Sequence, residues 1–373
     1  MNINMLYRQF YDQSGTDLMI GGVETYITNL IKLFIENGHK VFVYQFANKP
    51  FKNYYLGATV IGVCPHNKLE RMYKNRIRAM IKESYKYSNP EKDILIFCTE
   101  NDILPSKYKR VLAIQHGIGW DVHNSYKLKG IIMCKYWIDN SKRAFSEHRQ
   151  YKHISTLICV DYNYVNWYRT CINDDGLKYK VIPNFSTVPS FRKRENNDRV
   201  SIIFARRFQV YRGTRIFANA IADLMEENDN IKVTIAGDGP EEKYLQSALS
   251  RFKNVEFIRF MPEESVRIHS DYDIAVVPST ASEGTSLSLI EAMAAGCAVI
   301  STDIGGLTNI IIDGHNGKIV RPNSRELLIA LKELIEDIEL RERLAQNGYN
   351  TVVDSFNHNE WSRKWIDTIH DLE

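Results

Sequence analysis

The sequence has no CxxC pair, no cysteine–histidine cluster at metal-ligand spacing and no dense framework of cysteines in short loops. Its six cysteines, Cys64, Cys98, Cys134, Cys159, Cys171 and Cys297, therefore read as reduced thiols of a cytosolic protein. Residues Met1 to Arg8 carry neither the basic region nor the apolar run of a signal peptide. No later apolar run reaches the ~18 residues of a membrane span. The expectation is a cytoplasmic chain, neither secreted nor integral to a membrane. No low-complexity tract, Pro/Gly/Ser-rich linker or short-period repeat interrupts it. No GxGxxG with a suitably spaced acid follows the first strand of either half, which argues against a nicotinamide enzyme. The basic residues lack an accompanying aromatic-basic recognition motif, which argues against nucleic acid as a partner.

What is present is enough for two folded domains: 373 residues, 44% of them hydrophobic. The net charge of +3 conceals an asymmetry. Residues 1–190 hold 26 Lys and Arg against 16 Asp and Glu, or +10, and the remainder holds 22 against 29, or −7. The first half is the one expected to meet something anionic.

Short β-rich runs alternate with amphipathic stretches. The first half reads as strands at Ile3–Tyr7, Val41–Phe46, Ala58–Val63, Ile94–Cys98, Val111–Gln115, Thr156–Val160 and Lys180–Ile182, with a helix from about Val23 to Asn37. A break at Pro183–Pro189 and a polar run at Arg192–Arg199 predict a domain boundary. The alternation restarts with strands at Val200–Ala205, Lys232–Ala236, Val255–Ile258, Ile274–Val277 and Val299–Ser301. Helices are predicted near Arg215–Glu227, Glu241–Arg251 and Leu287–Ala295. This is the grammar of two doubly wound α/β units in succession, with a ligand crevice at the carboxyl ends of their strands. A last helix, about Asn359–His370, carries Trp361 and Trp365 on one face, so it is expected to pack on a neighbouring domain.

The most informative segment runs from Glu283 to Gly296, EGTSLSLIEAMAAG, after a buried strand ending at Pro278. The first turn of the helix it opens offers unpaired N–H groups and the positive end of a dipole, which suits a phosphate. Glu283 precedes the helix and Glu291 lies about two turns on, at ~1.5 Å per residue, so the two carboxylates can bind separate parts of one elongated ligand. By themselves they could equally be a helix-terminal charge and a solvated glutamate. Arg206, Arg207 and Arg212 leave the first strand of the second half, where fixed cations can stabilise a leaving diphosphate without a metal. Gly237-Asp238-Gly239-Pro240 adds a tight turn at another strand end.

Together these segments resemble the family-4 glycosyltransferases, retaining enzymes of the GT-B fold, in which two Rossmann-like domains face a central cleft. The resemblance covers nearly the whole chain and is most specific in the Glu, seven residues, Glu pattern at Glu283 and Glu291. It implies an acceptor-binding domain over residues 1–185, a nucleotide-sugar-binding domain over 186–356, and a helix over 357–373 packed back on the first domain. It implies that Glu283 touches the donor sugar, Glu291 the ribose, and the backbone of Thr285, Ser286 and Leu287 the phosphates. Arg207 and Arg212 align with the family's basic pair on the diphosphate. Gly22, in Gly21-Gly22-Val23-Glu24, would let backbone approach those phosphates from the first domain, and Gly237 would serve the same donor site. His116 matches a position that contacts the transferred sugar. Glu100 and Trp120 are candidates for the acceptor side. Val181-Ile182-Pro183-Asn184 and Gly305-Gly306 match further family stretches.

Four positions depart from the family pattern: Arg206 where glycine is usual, Arg212 where lysine is usual, and Thr285-Ser286 in place of Phe-Gly. The resemblance implies transfer of a sugar from a UDP- or GDP-linked donor to a glycan or lipid-linked acceptor, in cell-surface polysaccharide assembly. No cofactor is expected, and the absence of a DxD-like pair after a cleft strand fits metal independence. Two other readings share the fold or the ligand: a non-hydrolysing sugar-nucleotide epimerase, and a non-catalytic partner that binds nucleotide sugar or glycan. Finally, Lys68–Lys86 holds seven basic residues around an apolar stripe of Leu69, Met72, Tyr73, Arg76, Ile77, Met80 and Ile81. Such a helix either lies on an anionic membrane or docks on its own sheet.

Overall fold

A computed structural model describes the chain except residues 20, 66–71, 121–129, 173–175, 192–198, 282 and 373, and the side chain of residue 131. The first sheet comprises β1 (Asn2–Leu6), β2 (Lys40–Phe46), β3 (Phe51–Tyr55), β4 (Ala58–Val63), β5 (Ile94–Phe97), β6 (Arg110–Gln115), β7 (Thr156–Cys159) and β8 (Tyr179–Val181). The second comprises β9 (Val200–Ala205), β10 (Ile231–Ala236), β11 (Val255–Ile258), β12 (Ile274–Val277), β13 (Ala298–Thr302) and β14 (Lys318–Val320). The helices follow in order: α1 (Gly22–Glu36), α2 (Tyr73–Ser84), α3 (Ile131–His148), α4 (Asn163–Cys171), α5 (Thr214–Glu227), α6 (Glu242–Leu249), α7 (Ser265–His269), α8 (Leu287–Ala294), α9 (Ser324–Glu336), α10 (Ile338–Ser355) and α11 (His358–His370).

Strand order is β3-β4-β2-β1-β5-β6-β7-β8 in one sheet and β11-β10-β9-β12-β13-β14 in the other. Every pair is parallel except β3 with β4, which form a hairpin through Leu56 and Gly57 at φ of 48° and 84°. The central strands are apolar on both faces because helices cover both, and β5, β7 and β12 are buried at every residue. Two strands escape the sequence reading. β3, FKNYY, alternates half-buried with exposed residues as an edge strand, and β14 has only three residues.

Helix α2 places Ile77, Met80 and Ile81 at 1%, 0% and 3% exposure in the core beside β2 and β4. Ile77, Met80 and Ile81 of the stripe read in Lys68–Lys86 are thus the helix's contact with its own sheet, whereas Met72 and Tyr73 at its start are 63% and 41% exposed. Lys74, Arg78, Lys82 and Lys86 stay exposed, while residues 68–71 lie outside the described residues. Most of the Arg192–Arg199 run lies outside them as well.

At the chain's other end, α11 returns to the first sheet. Trp361, Trp365 and Ile369 join the core formed by α1 and β1, and Trp365 Nε1 donates to the Tyr26 hydroxyl at 2.9 Å. Where the two crossings lie side by side, Ser186 pairs with Asn357. Among the described residues no helix is long and apolar enough to cross a membrane.

Candidate active site

In the first sheet the chain builds outward from β1 through β2 to β4, then returns to place β5 beside β1. In the second it builds from β9 to β11, then returns to place β12 beside β9. Each reversal opens a crevice at the carboxyl ends of the strands. A cleft of about 560 Å³ lies there, lined from the first domain by Gly21, Gly22 and His116 and from the second by the residues after β9 and β12.

Two helix N-termini meet across it. α1 starts at Gly22 and α8 at Leu287, and neither has a side-chain cap on its first N–H groups. A Cβ built on Gly22 would lie 4.0 Å from Leu287 Cδ1, so the termini approach closely with no side chain from Gly22 intervening. Orphan N–H groups and two positive dipole ends therefore converge on one small volume, where an anion is favoured.

Glu283 and three donors form the floor. Arg206 Nη2 sits 2.6 Å from Glu283 Oε1, and its Nη1 donates to Ser279 Oγ at 3.0 Å. Arg212 and the Ser279 hydroxyl also donate to Oε1. Burial acts to raise the Glu283 carboxyl, but the Arg206 and Arg212 guanidiniums outweigh it and hold the group below the usual glutamate range. All three donors fall on Oε1, so among the described residues Oε2 is left as the open acceptor of a cleft-lining carboxylate. Arg207 lines the same cleft, exposed, and takes part in no ion pair among the described residues.

Glu291 lies at the other end of the lining, where Ser265 Oγ donates to its Oε2 at 2.7 Å. Burial pushes its pKa up to about 7, with the Ser265 hydrogen bond opposing. His116 contributes from the carboxyl end of β6. Its Nε2 is 3.0 Å from the Cys98 carbonyl, which can only accept, so the proton sits on Nε2 and Nδ1 carries a free lone pair. Burial lowers its pKa to about 4, keeping the ring neutral. The edge of Tyr26 packs against it at 5.3 Å.

The loop from β12 to α8 is wedged against the first domain. The Thr285 hydroxyl donates to the Val160 carbonyl, Asn184 Nδ2 to the Thr285 carbonyl at 2.6 Å, and Asn163 Nδ2 to the Glu283 carbonyl at 3.3 Å. Gly284 is required here, since a Cβ would come within 2.6 Å of the His116 carbonyl oxygen. The cleft thus unites Gly22, His116, Arg207, Arg212, Glu283, Thr285, Ser286, Leu287 and Glu291.

Three expected residues are elsewhere. Gly237, at φ 135°, backs the Arg206 loop, where a Cβ would lie 2.4 Å from the Arg206 carbonyl oxygen. Trp120, 8% exposed, packs its ring against Trp167 at 5.4 Å and Tyr164 at 6.2 Å, because a large apolar surface is better buried than left at a cleft mouth. Glu100 is also 8% exposed and outside the lining; burial, with Glu147 and Asp102 nearby, raises its pKa to about 8. Conversely, Ser265 and Ser279 hold site groups without any spacing signal in the sequence, because they reach the cleft from separate segments, and Asn184, from the Val181–Asn184 stretch, holds the Thr285 carbonyl.

Comparison with known proteins agrees with this geometry. Residues 188–351 match the family described as glycosyl transferases group 1. An uncharacterized glycosyltransferase of Methanocaldococcus jannaschii is 26% identical over 352 residues, covering 88% of this chain and 89% of that protein. Alpha-D-kanosaminyltransferase of Streptomyces kanamyceticus is 28% identical over 157 residues, 41% of this chain and 40% of that protein. Among solved structures, sucrose-phosphate synthase from Thermosynechococcus elongatus superposes with a TM-score of 0.78 at 18% identity, covering 100% of this chain and 98% of that one. Anabaena HepE in complex with UDP-glucose gives 0.74 at 16% identity over 100% of both chains. The chain has the GT-B fold, and its residues 188–351 match glycosyl transferases group 1.

Proposed function

We propose that the protein is a retaining, metal-independent glycosyltransferase of family 4, moving a sugar from a UDP- or GDP-linked donor to a glycan or lipid-linked acceptor in cell-surface polysaccharide assembly. The observation that carries this reading is the convergence of the α1 and α8 N-termini with Arg207 and Arg212 on one cleft that ends in two carboxylates. A nucleotide sugar has that layout, with a diphosphate in the middle and hydroxyl-rich groups at both ends. The HepE structure holding UDP-glucose supports the donor class on the shared fold.

In this reading the diphosphate lies between the helix termini, with Arg207 and Arg212 on its oxygens. Glu291 accepts from the ribose hydroxyls. Glu283 Oε2 and His116 Nδ1 accept from the hydroxyls of the transferred sugar. As the anomeric C–O bond breaks, charge grows on the leaving phosphate oxygen, where the fixed cations and dipoles stabilise it. The acceptor hydroxyl attacks the oxocarbenium-like sugar from the face the phosphate leaves. Its proton passes to that phosphate oxygen, and the anomeric configuration is kept.

The test is to incubate the protein with candidate nucleotide sugars in chelator and read the anomer of the transferred or released sugar by NMR. Turnover with the donor's configuration is expected. An inverted product would overturn retention, and activity lost in chelator but restored by a divalent ion would overturn metal independence.

A further inference from the structure

Arg206 is a cation whose bonds in the cleft are incomplete. It follows β9 and lines the cleft, yet its side chain is only 5% exposed. A guanidinium has five N–H groups and no acceptor. Among the described residues two of them are bonded, through Nη1 to Ser279 Oγ at 3.0 Å and through Nη2 to Glu283 Oε1 at 2.6 Å. Nε is buried and has no hydrogen-bond partner there. A buried N–H without an acceptor is a cost that a bound ligand can remove.

The charge around it is incomplete as well. Arg206 and Arg212 share one carboxylate, Glu283, and both fall on its Oε1. Burial lowers the Arg206 pKa, Glu283 opposes, and the Arg212 charge adds to the lowering, as where cations outnumber acids. The other acids of the lining lie toward Ser265: Glu263 precedes it by two residues and Glu291 is bonded to it. In the donor reading Arg207 and Arg212 take the diphosphate, which leaves Arg206 as the cation of the sugar end. Glu283 Oε2 and His116 Nδ1 are acceptors there, and sugar hydroxyls can donate to both. The guanidinium can only donate, so its match on the sugar is an acceptor. A carboxylate fits best, because it only accepts, forms charge-assisted bonds about twice as strong as neutral ones, and has the planar shape that matches the guanidinium fork.

We propose that Arg206 is a donor-specificity residue, and that the transferred sugar is a hexuronic acid whose carboxylate bonds the Arg206 guanidinium. The inference rests on the donor reading of the cleft and deepens it. The helix termini, Arg207 and Arg212 hold the diphosphate, Glu283 and His116 the sugar hydroxyls, and Arg206 the sugar acid. Arg206 then stands between two carboxylates, one from the protein and one from the ligand, and offsets their repulsion. A neutral hexose lacks the group that would complete its bonds.

The test is calorimetric titration, in chelator, of matched donors that differ only at C6. The pairs are UDP-glucose with UDP-glucuronate, UDP-galactose with UDP-galacturonate, and GDP-mannose with GDP-mannuronate, beside bare UDP and GDP. In one pair the acidic member should bind roughly 10- to 100-fold more tightly than the neutral one, the range of a hydrogen bond to a charged group. Arg206→Met should bring that ratio close to one. Arg206→Lys keeps the charge without the fork and should retain part of it. The ratio is taken within each protein, so a general weakening cancels, and the parent's ratio decides the proposal even where a variant does not fold. No acidic donor bound more tightly than its neutral partner, while bare UDP or GDP binds, would overturn this inference alone and leave Arg206 as a support for Glu283. So would a preference for the acid that survives in Arg206→Met. No binding of either diphosphate would overturn the donor reading, and this inference with it.

Discussion

Arg206 Nη2 lies 2.6 Å from Glu283 Oε1, with the two side chains only 5% and 6% exposed. The arginine stands where the resembling family usually has glycine, and it holds the carboxylate expected to meet the donor sugar. The sugar-facing acid is therefore built as one member of a cluster with Arg206, Arg212 and Ser279, and it presents one oxygen rather than two.

Removing the acid should cost more than removing either base. Glu283→Gln leaves two guanidiniums facing each other without a counter-charge and should destabilise by about 3–5 kcal/mol, as for an orphaned buried ion. Arg206→Met leaves Glu283 with Arg212 and Ser279 and should cost less. Denaturant unfolding of both variants checks the order. Because the Glu283 pKa is depressed in the fold, this contribution is present above the ordinary glutamate range and fades as pH falls below it.

Glu291 gives donor binding a pH dependence near neutrality. Its pKa of about 7 means that a proton occupies the carboxyl below that pH, whereas ribose hydroxyls need the ionised acceptor. Donor affinity should fall by up to about tenfold per pH unit below 7 and level off above it. Calorimetric titration with an intact nucleotide sugar, whose phosphates do not titrate in this range, measures the slope. Glu291→Gln should flatten it. The stability effect has the opposite sign: a raised carboxyl pKa favours the fold at low pH and that contribution is lost as pH rises through 7, so Glu291→Gln should gain relative stability in alkali.

The returning helix α11 supports the cleft from behind. Trp365 is fully buried and bonded to Tyr26, whose ring edge contacts His116. Trp365→Ala should cost about 3–5 kcal/mol, and Trp365→Phe should lose mainly the hydrogen bond, about 1 kcal/mol. Denaturant midpoints at constant slope measure both.

The alternation of apolar runs with amphipathic stretches made the two-sheet plan legible, because strands covered on both faces are nearly continuous apolar runs. Ile94–Phe97 and Ile274–Val277 carry that signal over their full observed length. Edge strand β3 hides because only one of its faces is covered. The stripe of α2 illustrates a different limit: a helix docked on a sheet and one lying on a bilayer present the same spacing, and only burial of Ile77, Met80 and Ile81 separates them. The cleft residues were legible where they follow strands, as Arg207, His116 and Glu283 do. Trp120 and Glu100 also follow strands yet turn inward, since position in the chain fixes the strand end but not the side chain's direction. Ser265 and Ser279 gave no signal, because a hydroxyl that orients a carboxylate is recognisable only once folding brings them together.

The central claim is that Arg207 and the paired helix termini bind and stabilise a donor diphosphate. The direct measurement is donor turnover and thermal stabilisation by nucleoside diphosphates, both in chelator, for the parent and Arg207→Ala. Arg207 is exposed and without an ion pair among the described residues, so the unliganded variant should unfold at the parent's temperature. Stabilisation of the parent by one base's diphosphate, weakened in the variant, with turnover reduced ~10²-fold or more, is the predicted result. No stabilisation of the parent by any diphosphate, or full turnover in Arg207→Ala, would contradict it.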